Sequence, residues 1–329
     1  MFKVLFLART DLERIKAGDT IQIRNLMSVL KEKGAKVDIC LDLRPDPSGY
    51  DLVHCFNILR VENVASQLDG VINKKVPIII TPIYWNMEEY LKKMKPDKLK
   101  KWKKKQTLRK EVLMYADMIL PNAHLEWELI KKDFKLNKPY QVIYNGVDKS
   151  FYNKINTTRH GVISVGRIHS RKNQLSLIKA MKGTGISLTF VGDSNEREYY
   201  QECITAASSF PNIRFHKGVE KKALISLYKQ SKVHVLTSWY DTPGLVNLEA
   251  GVSGCNLVTT NRGTAREYLN NYAYFCDPDN ITQIREMVLK AYYSGHNNQL
   301  ANHILFNYTW DKVGKDLLKI YSEITGYNI

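Results

Sequence analysis

The chain has 329 residues, 44% of them hydrophobic and 25% charged, the proportions of a soluble globular protein rather than a disordered or fibrous one. Lys and Arg number 49 against 33 Asp and Glu, a formal net charge of +16, and such an excess points to an anionic partner: nucleic acid, anionic lipid or a phosphorylated substrate. No apolar run approaches the roughly 20 residues that span a bilayer, and the start, Met1 to Ala8, is too short for a signal peptide and reads as a first strand. The five cysteines (Cys40, Cys55, Cys203, Cys255, Cys276) are scattered and never in Cys-x-x-Cys spacing, which fits free thiols in a reducing cytosol. The eight histidines are dispersed and suggest no metal cluster.

In chain order, Lys3 to Ala8 is predicted as a strand and Thr20 to Lys33 as a helix, with Ile23, Leu26 and Leu30 on one face and Gly34 ending it. Lys36 to Cys40 and Tyr50 to Cys55 read as further strands, then a helix around Glu62 to Val71 and a buried strand from Val76 to Thr81. Met118 to Leu120 and Gln141 to Tyr144 are expected as two more strands, with a helix from His124 to Asp133 between them. Apolar runs alternating with helices describe a parallel sheet covered on both faces.

The pattern restarts at His160 to Val165. A helix (Gln174 to Met181), a strand (Ser187 to Val191), a helix rich in Glu and Tyr, a strand (Ile213 to Phe215) and a helix (Lys222 to Lys229) follow. Val233 to Leu236 is then a buried strand, Pro243-Gly244 breaks the chain, and Leu245, Leu248 and Val252 fall at helical spacing before the apolar pair Leu257-Val258. The linker between the two halves is expected after Asn145-Gly146-Val147-Asp148, across polar residues 153 to 159. The tail from Thr309 reads as a capped amphipathic helix with Val313, Leu317, Ile320 and Ile324 on one face.

Three loops carry chemistry. In Asp241-Thr242-Pro243-Gly244-Leu245-Val246-Asn247-Leu248-Glu249-Ala250, the amides of Gly244 and Leu245 open a helix and offer a seat for an anion or a polarised hydroxyl. Two carboxylates flanking that start, Asp241 and Glu249, can accept hydrogen bonds from two points of one polyhydroxylated ligand; either alone also reads as a helix-dipole partner. Gly166-Arg167-Ile168-His169-Ser170-Arg171-Lys172-Asn173 sets cations beside a second helix start, which suits a diphosphate or, seen alone, a solvated loop. Gly18-Asp19-Thr20 opens the first helix, with Gly18 allowing close backbone approach and Thr20 alternatively a plain cap.

Asp241-x7-Glu249-Ala, followed by Gly254 and the Asn261-Arg262-Gly263-Thr264 loop, resembles the Glu-x7-Glu block of retaining glycosyltransferases of family 4, with Asp241 where that family usually has Glu. The resemblance implies an α/β chain of GT-B fold: two doubly wound Rossmann-like domains facing across a cleft, with a C-terminal helix crossing back to the first. The expected divisions are 1–148 (acceptor side), 149–308 (donor side) and 309–329 (the returning helix). It also implies a nucleotide diphosphate sugar as co-substrate and no metal or other cofactor. Glu249 would hold ribose hydroxyls, Asp241 with the Gly244 and Leu245 amides the sugar, and Arg167 and Lys172 the diphosphate. Gly18, Asp19, Thr20, Gly166, Gly192 and Val246 would complete the donor site.

Many relatives carry a His at the end of the strand matching Ile78 to Thr81; here Thr81-Pro82-Ile83-Tyr84-Trp85 stands instead, and Tyr84 and Trp85 offer an aromatic platform or a piece of core. The run from Lys92 to Lys110 is intensely basic, with Met94, Leu99 and Trp102 interleaved. It reads as a solvated helix face or an anionic-membrane contact, and less readily as a nucleic-acid site. The expected activity is transfer of a sugar to a glycan or lipid-linked acceptor, in the cytoplasm and peripherally on the inner face of the cell membrane. A GT-B nucleotide-sugar epimerase or a non-catalytic nucleotide-sugar or lipid-binding subunit are the alternatives. A dinucleotide oxidoreductase is disfavoured, since no Gly-x-Gly-x-x-Gly follows a strand.

Overall fold

A computed structural model describes residues 1–15, 17–152 and 158–327; the expected linker residues 153–157 lie outside the described residues. The chain divides into two compact units, Met1–Gly146 with Tyr308–Ile329, and Val147–Asn307.

The first unit runs β1 (Lys3–Leu7), α1 (Gly18–Glu32), β2 (Lys36–Cys40), β3 (Leu52–Phe56), α2 (Val61–Leu68), β4 (Ile78–Thr81), α3 (Glu88–Met94), α4 (Leu99–Met114), β5 (Met118–Ile119) and α5 (His124–Phe134). Its five strands are parallel in the order β2-β1-β3-β4-β5. Every residue of β3 and β4 is buried, as expected of strands covered on both faces. The strand expected over Gln141 to Tyr144 is absent. Tyr140 makes one isolated bridge to Ile119, with Ile119 N donating to Pro139 O, Gln141 N to Ile119 O and Ile143 N to Pro121 O. Pro121 and Pro139 lack the N–H groups a longer ladder needs.

The second unit runs β6 (His160–Val165), α6 (Gln174–Met181), β7 (Leu188–Val191), α7 (Arg197–Ala207), β8 (Ile213–His216), α8 (Lys221–Gln230), β9 (Ser231–Leu236), α9 (Leu245–Val252), β10 (Asn256–Thr260), α10 (Ala265–Leu269), β11 (Tyr274–Cys276), α11 (Ile281–Tyr293) and α12 (Asn298–Asn307). The order β11-β10-β9-β6-β7-β8 is again wholly parallel. Its core joins Val162, Leu188, Phe190, Val233, Val235 and Val258 of the sheet to Leu177, Ile178, Ile284 and Val288 of the helices; each such side chain contributes about 1.5–3 kcal/mol on burial. Connections run outward to both sides from β6 and β9, so these neighbours form the switch point, where the loops part and leave a crevice at the carboxyl ends.

The last helix, α13 (Trp310–Thr325), packs on α1 within the first unit. Val313, Leu317 and Ile320 are buried, and a Cβ on Gly314 would come within 2.8 Å of Val29 Cγ2. Thr309 stands at the cap position, yet its side chain makes no capping bond; Lys33 Nζ to Asp311 Oδ1 (2.6 Å) and Tyr321 Oη to His54 Nδ1 (2.6 Å) tie the helix down instead. His54 also bonds Thr81 Oγ1 at 2.8 Å, and burial lowers its pKa to about 3. It is a neutral core residue. Among the described residues no helix is long and apolar enough to cross a membrane.

Candidate active site

The crevice between β6 and β9 collects the two second-unit loops singled out by sequence. Gly166 and Gly192, which end β6 and β7, have φ of +144° and +151°, where a side chain is strained. A Cβ on Gly192 would lie 2.2 Å from Gly166 O. The bare backbones thus meet, Gly166 N donating to Val191 O and Ile168 N to Asp193 O, each at 2.9 Å.

The loop from Gly166 to Asn173 is then held from several sides. Glu196 accepts from Ser170 N (2.7 Å) and Ser170 Oγ (3.2 Å), and His169 Nδ1 accepts from Arg171 N (3.1 Å). Gln174 Nε2 donates to Arg167 O (2.8 Å), and Asn173, at φ +58°, donates from Nδ2 to Pro278 O (2.7 Å). Neither Glu196 nor Gln174 was singled out as a site residue in the sequence, where they look like ordinary polar helix and loop residues.

The loop after β9 docks on this one. Thr237 Oγ1 donates to Asn173 O (3.1 Å) and Trp239 N to Arg171 O (2.8 Å). Asp241 forms an isolated bridge with Gly263, whose φ is +104° and whose Cβ would sit 2.0 Å from Asp241 O; Thr264 N donates to the same carbonyl at 3.0 Å. The side chain of Asp241 turns to Lys172, Nζ to Oδ2 2.6 Å, with both side chains nearly buried. Burial pushes the Asp241 carboxyl up, but Lys172 and then Arg171 outweigh it and hold the group below the usual carboxylate range. Arg171 itself lies over the Tyr240 ring, 4.9 Å from its centroid.

After the cis Thr242–Pro243 peptide, Gly244 at φ +77° stands at the N-cap of α9, where a Cβ would meet Leu236 Cδ2 at 2.7 Å. No side chain caps this helix, so the amides that open it, at Leu245 and Val246, are available for an acceptor from outside. One turn on, Glu249 is partly buried and accepts from Tyr228 Oη at 3.4 Å. Burial raises its carboxyl to about 7, against the opposing pull of Tyr228. Tyr228 is a residue that sequence reasoning missed, because its place on α8 matters only once α8 packs beside α9.

In the first unit, Gly18, Asp19 and Thr20 open α1. Asp19 accepts from Arg9 Nε (2.9 Å) and Asn57 Nδ2 (2.7 Å). Thr20 Oγ1 accepts from Arg9 (2.8 Å) and Ala17 N (3.2 Å), so Thr20 lies inside the helix and is not its cap residue. Both side chains are committed to their own unit, whereas the space beside Gly18 is open to 4 Å. Of the two readings of Tyr84, platform or piece of core, the structure bears out core. Tyr84 has no exposed surface, donates to Asp133 Oδ2 at 2.7 Å and stacks on the buried Trp102.

Residues 148–303 match the family model described as Glycosyl transferases group 1, just under half of the chain. An uncharacterized glycosyltransferase of Methanocaldococcus jannaschii is 26% identical over 209 residues; the match spans about half of either chain, 55% of this one and 53% of that relative. Among solved structures, sucrose-phosphate synthase from Thermosynechococcus elongatus superposes with a TM-score of 0.85 at 14% identity, covering 99% of this chain and 100% of that one. Anabaena HepE in complex with UDP-glucose gives 0.73 at 14% identity, over 98% and 100%. The fold is the α/β GT-B fold that these structures share, and the match to the glycosyl transferases group 1 model falls on the second unit.

Proposed function

We propose that the protein is a retaining, metal-independent glycosyltransferase of family 4 that moves a sugar from a nucleotide diphosphate sugar to a hydroxyl of a glycan or lipid-linked acceptor. The observation that carries this reading is the meeting of Lys172 and Asp241, at 2.6 Å, beside the uncapped start of α9 at the switch point of β6 and β9. A cation, a carboxylate and helix-start amides in one crevice suit a ligand with both phosphates and hydroxyls. HepE, with the same fold, has been seen with UDP-glucose.

In this reading Glu249 accepts from the ribose hydroxyls, while Asp241 and the Gly244, Leu245 and Val246 amides orient the sugar. Arg167 and Lys172 face the diphosphate. As the bond from anomeric carbon to phosphate oxygen breaks, negative charge grows on the departing diphosphate, so these cations act most strongly in the transition state. The acceptor oxygen bonds to the anomeric carbon on the face the diphosphate leaves, and the acceptor's proton passes to the leaving phosphate. Gly166 and Gly192 bring the backbone close to the phosphates. The exposed lysines of α4 hold the enzyme peripherally at an anionic membrane, where a lipid-linked acceptor resides.

The test is a thermal-shift panel of nucleotide sugars, since a ligand that binds only the native state raises the melting temperature, followed by transfer assays with the donor that binds. A donor-dependent shift, a product of retained anomeric configuration by NMR and full activity in excess EDTA are expected. Activity abolished by EDTA and restored by magnesium or manganese sinks metal independence. An altered sugar formed from donor alone, seen by mass spectrometry, would mean an epimerase.

A further inference from the structure

Beneath the first turn of α9 lies a buried polar contact that the roles above do not use. His234 sits in β9, in register with Ile163 of β6 and Leu257 of β10, and has no exposed surface. Side chains alternate across a strand, so His234 shares a sheet face with Leu236 and, across the ladder, with Leu257 and Thr259. That face is covered by α9 and its cap: a Cβ on Gly244 would meet Leu236, and one on Gly251 would meet Leu257. Tyr228, whose hydroxyl reaches Val246 O and Glu249, meets the imidazole edge-on, 5.9 Å between centroids.

Asn247 projects onto the same face. Its Nδ2 donates to Thr259 Oγ1 (3.0 Å) and to Pro243 O (3.3 Å), which uses both amide hydrogens. The reverse amide orientation would set Oδ1 against the Pro243 carbonyl, two acceptors face to face. Among the described residues, Asn247 Oδ1 and both ring nitrogens of His234 have no hydrogen-bond partner, and a buried polar group left without one is destabilising. A neutral imidazole carries one N–H donor, and Asn247 Oδ1 is the acceptor that lacks one.

We infer that His234 is a positioning residue: its imidazole N–H donates to Asn247 Oδ1, fixing the carboxamide whose other end grips the Pro243 carbonyl and so holds the Asp241–Gly244 loop at the start of α9. Burial lowers the pKa of His234 to about 3, so the ring is neutral and keeps a single N–H at working pH. The inference rests on the glycosyl-transfer reading only for its catalytic consequence. The loop presents Asp241 and the Gly244 amide to the sugar, whereas Glu249, a turn further on, faces the ribose. Loosening the loop therefore slows transfer and leaves nucleotide affinity alone.

The structural arm of the test uses protein labelled with ¹⁵N-histidine. His234 should give one neutral tautomer with a slowly exchanging N–H, and Asn247→Leu should shift that resonance and speed its exchange. A His234 signal indifferent to Asn247→Leu overturns the pairing, whether or not any nucleotide binds. In the catalytic arm, His234→Phe should lower kcat on the order of tenfold or more through misplaced groups. His234→Gln, which keeps an N–H donor, should recover most of it. The Kd values for UDP and GDP as probes should stay within about twofold, the signature of an interaction made only in the transition state. If His234→Phe weakens nucleotide as much as it slows turnover, or if His234→Gln recovers nothing, the positioning role is wrong. Should neither nucleotide bind the wild type, the transfer reading fails while the NMR arm still decides the pair.

Discussion

Lys172 Nζ and Asp241 Oδ2 are 2.6 Å apart, although the residues stand 69 positions apart in the chain. They meet because β6 and β9 are neighbours and their following loops emerge side by side. The cation proposed for the diphosphate and the carboxylate proposed for the sugar are thus each other's counterion.

Single removals should be costly and non-additive. Asp241→Ala or Lys172→Met leaves a nearly buried charge uncompensated, and each is expected to lose about 3–5 kcal/mol of stability by urea unfolding, with the double variant losing less than the sum. The Asp241 carboxyl lies below its ordinary value, so its contribution is full above the unfolded carboxylate range and is lost as pH falls through the depressed folded value. Additive losses would mean the two do not pair in solution.

Glu249 shows the opposite linkage. Its folded pKa is raised to about 7, so between the ordinary carboxylate value and 7 the folded state binds more protons, and stability falls as pH rises through that window. Glu249→Gln should therefore stabilise the protein at pH above 7, by at most about 3 kcal/mol from the size of the shift, and make no difference at acid pH. Nucleotide binding should strengthen in the wild type as the carboxylate ionises and weaken by about 1.5–3 kcal/mol in Glu249→Ala. Calorimetric titration with a nucleoside diphosphate at two pH values checks both.

Gly192 and Gly18 should respond differently to an added methyl. Gly192→Ala forces a Cβ against Gly166 O at a positive φ, and more than about 2 kcal/mol of stability should go. Gly18→Ala meets nothing within 4 Å, so stability should hold within about 1 kcal/mol. Urea unfolding of the two variants checks the contrast, and equal losses would mean that the close approach of Gly192 to Gly166 is not kept in solution.

The basic helix should act by charge and not by insertion. Trp102 is buried under Tyr84 and Arg109, the guanidinium 3.8 Å from the indole centroid, so it cannot dip into a headgroup layer as its place among the lysines suggests. Lys103 pairs with Glu88 and Lys105 with Glu62, while Lys100, Lys101 and Lys104 are exposed. Replacing these three by Gln should release the protein from anionic vesicles at about 1 kcal/mol per lysine, sparing transfer to a soluble acceptor. Trp102→Ala should instead destabilise the fold, by about 3–5 kcal/mol. Equal flotation with neutral and anionic vesicles at low salt would end the membrane proposal.

The sequence by itself determined the alternation of strands and helices, because buried parallel strands are apolar runs and helices repeat with their own period. It also located the loops around Gly166 and Gly244, because glycine and proline punctuate a chain locally. Its failures were non-local. Gln141 to Tyr144 looks like a strand, and only the placement of Pro121 and Pro139 beside it cuts the ladder to a single bridge. Trp102 sits among lysines, and nothing nearby in the chain says that it stacks on Tyr84 inside the first unit. Strand order brought Lys172 to Asp241, 69 positions away, whereas Tyr228 meets Glu249 and His234 lies beneath Asn247 only once the helices flanking β9 pack against the sheet. A side chain's partner is a property of which strands become neighbours, and that is decided by packing the whole sheet.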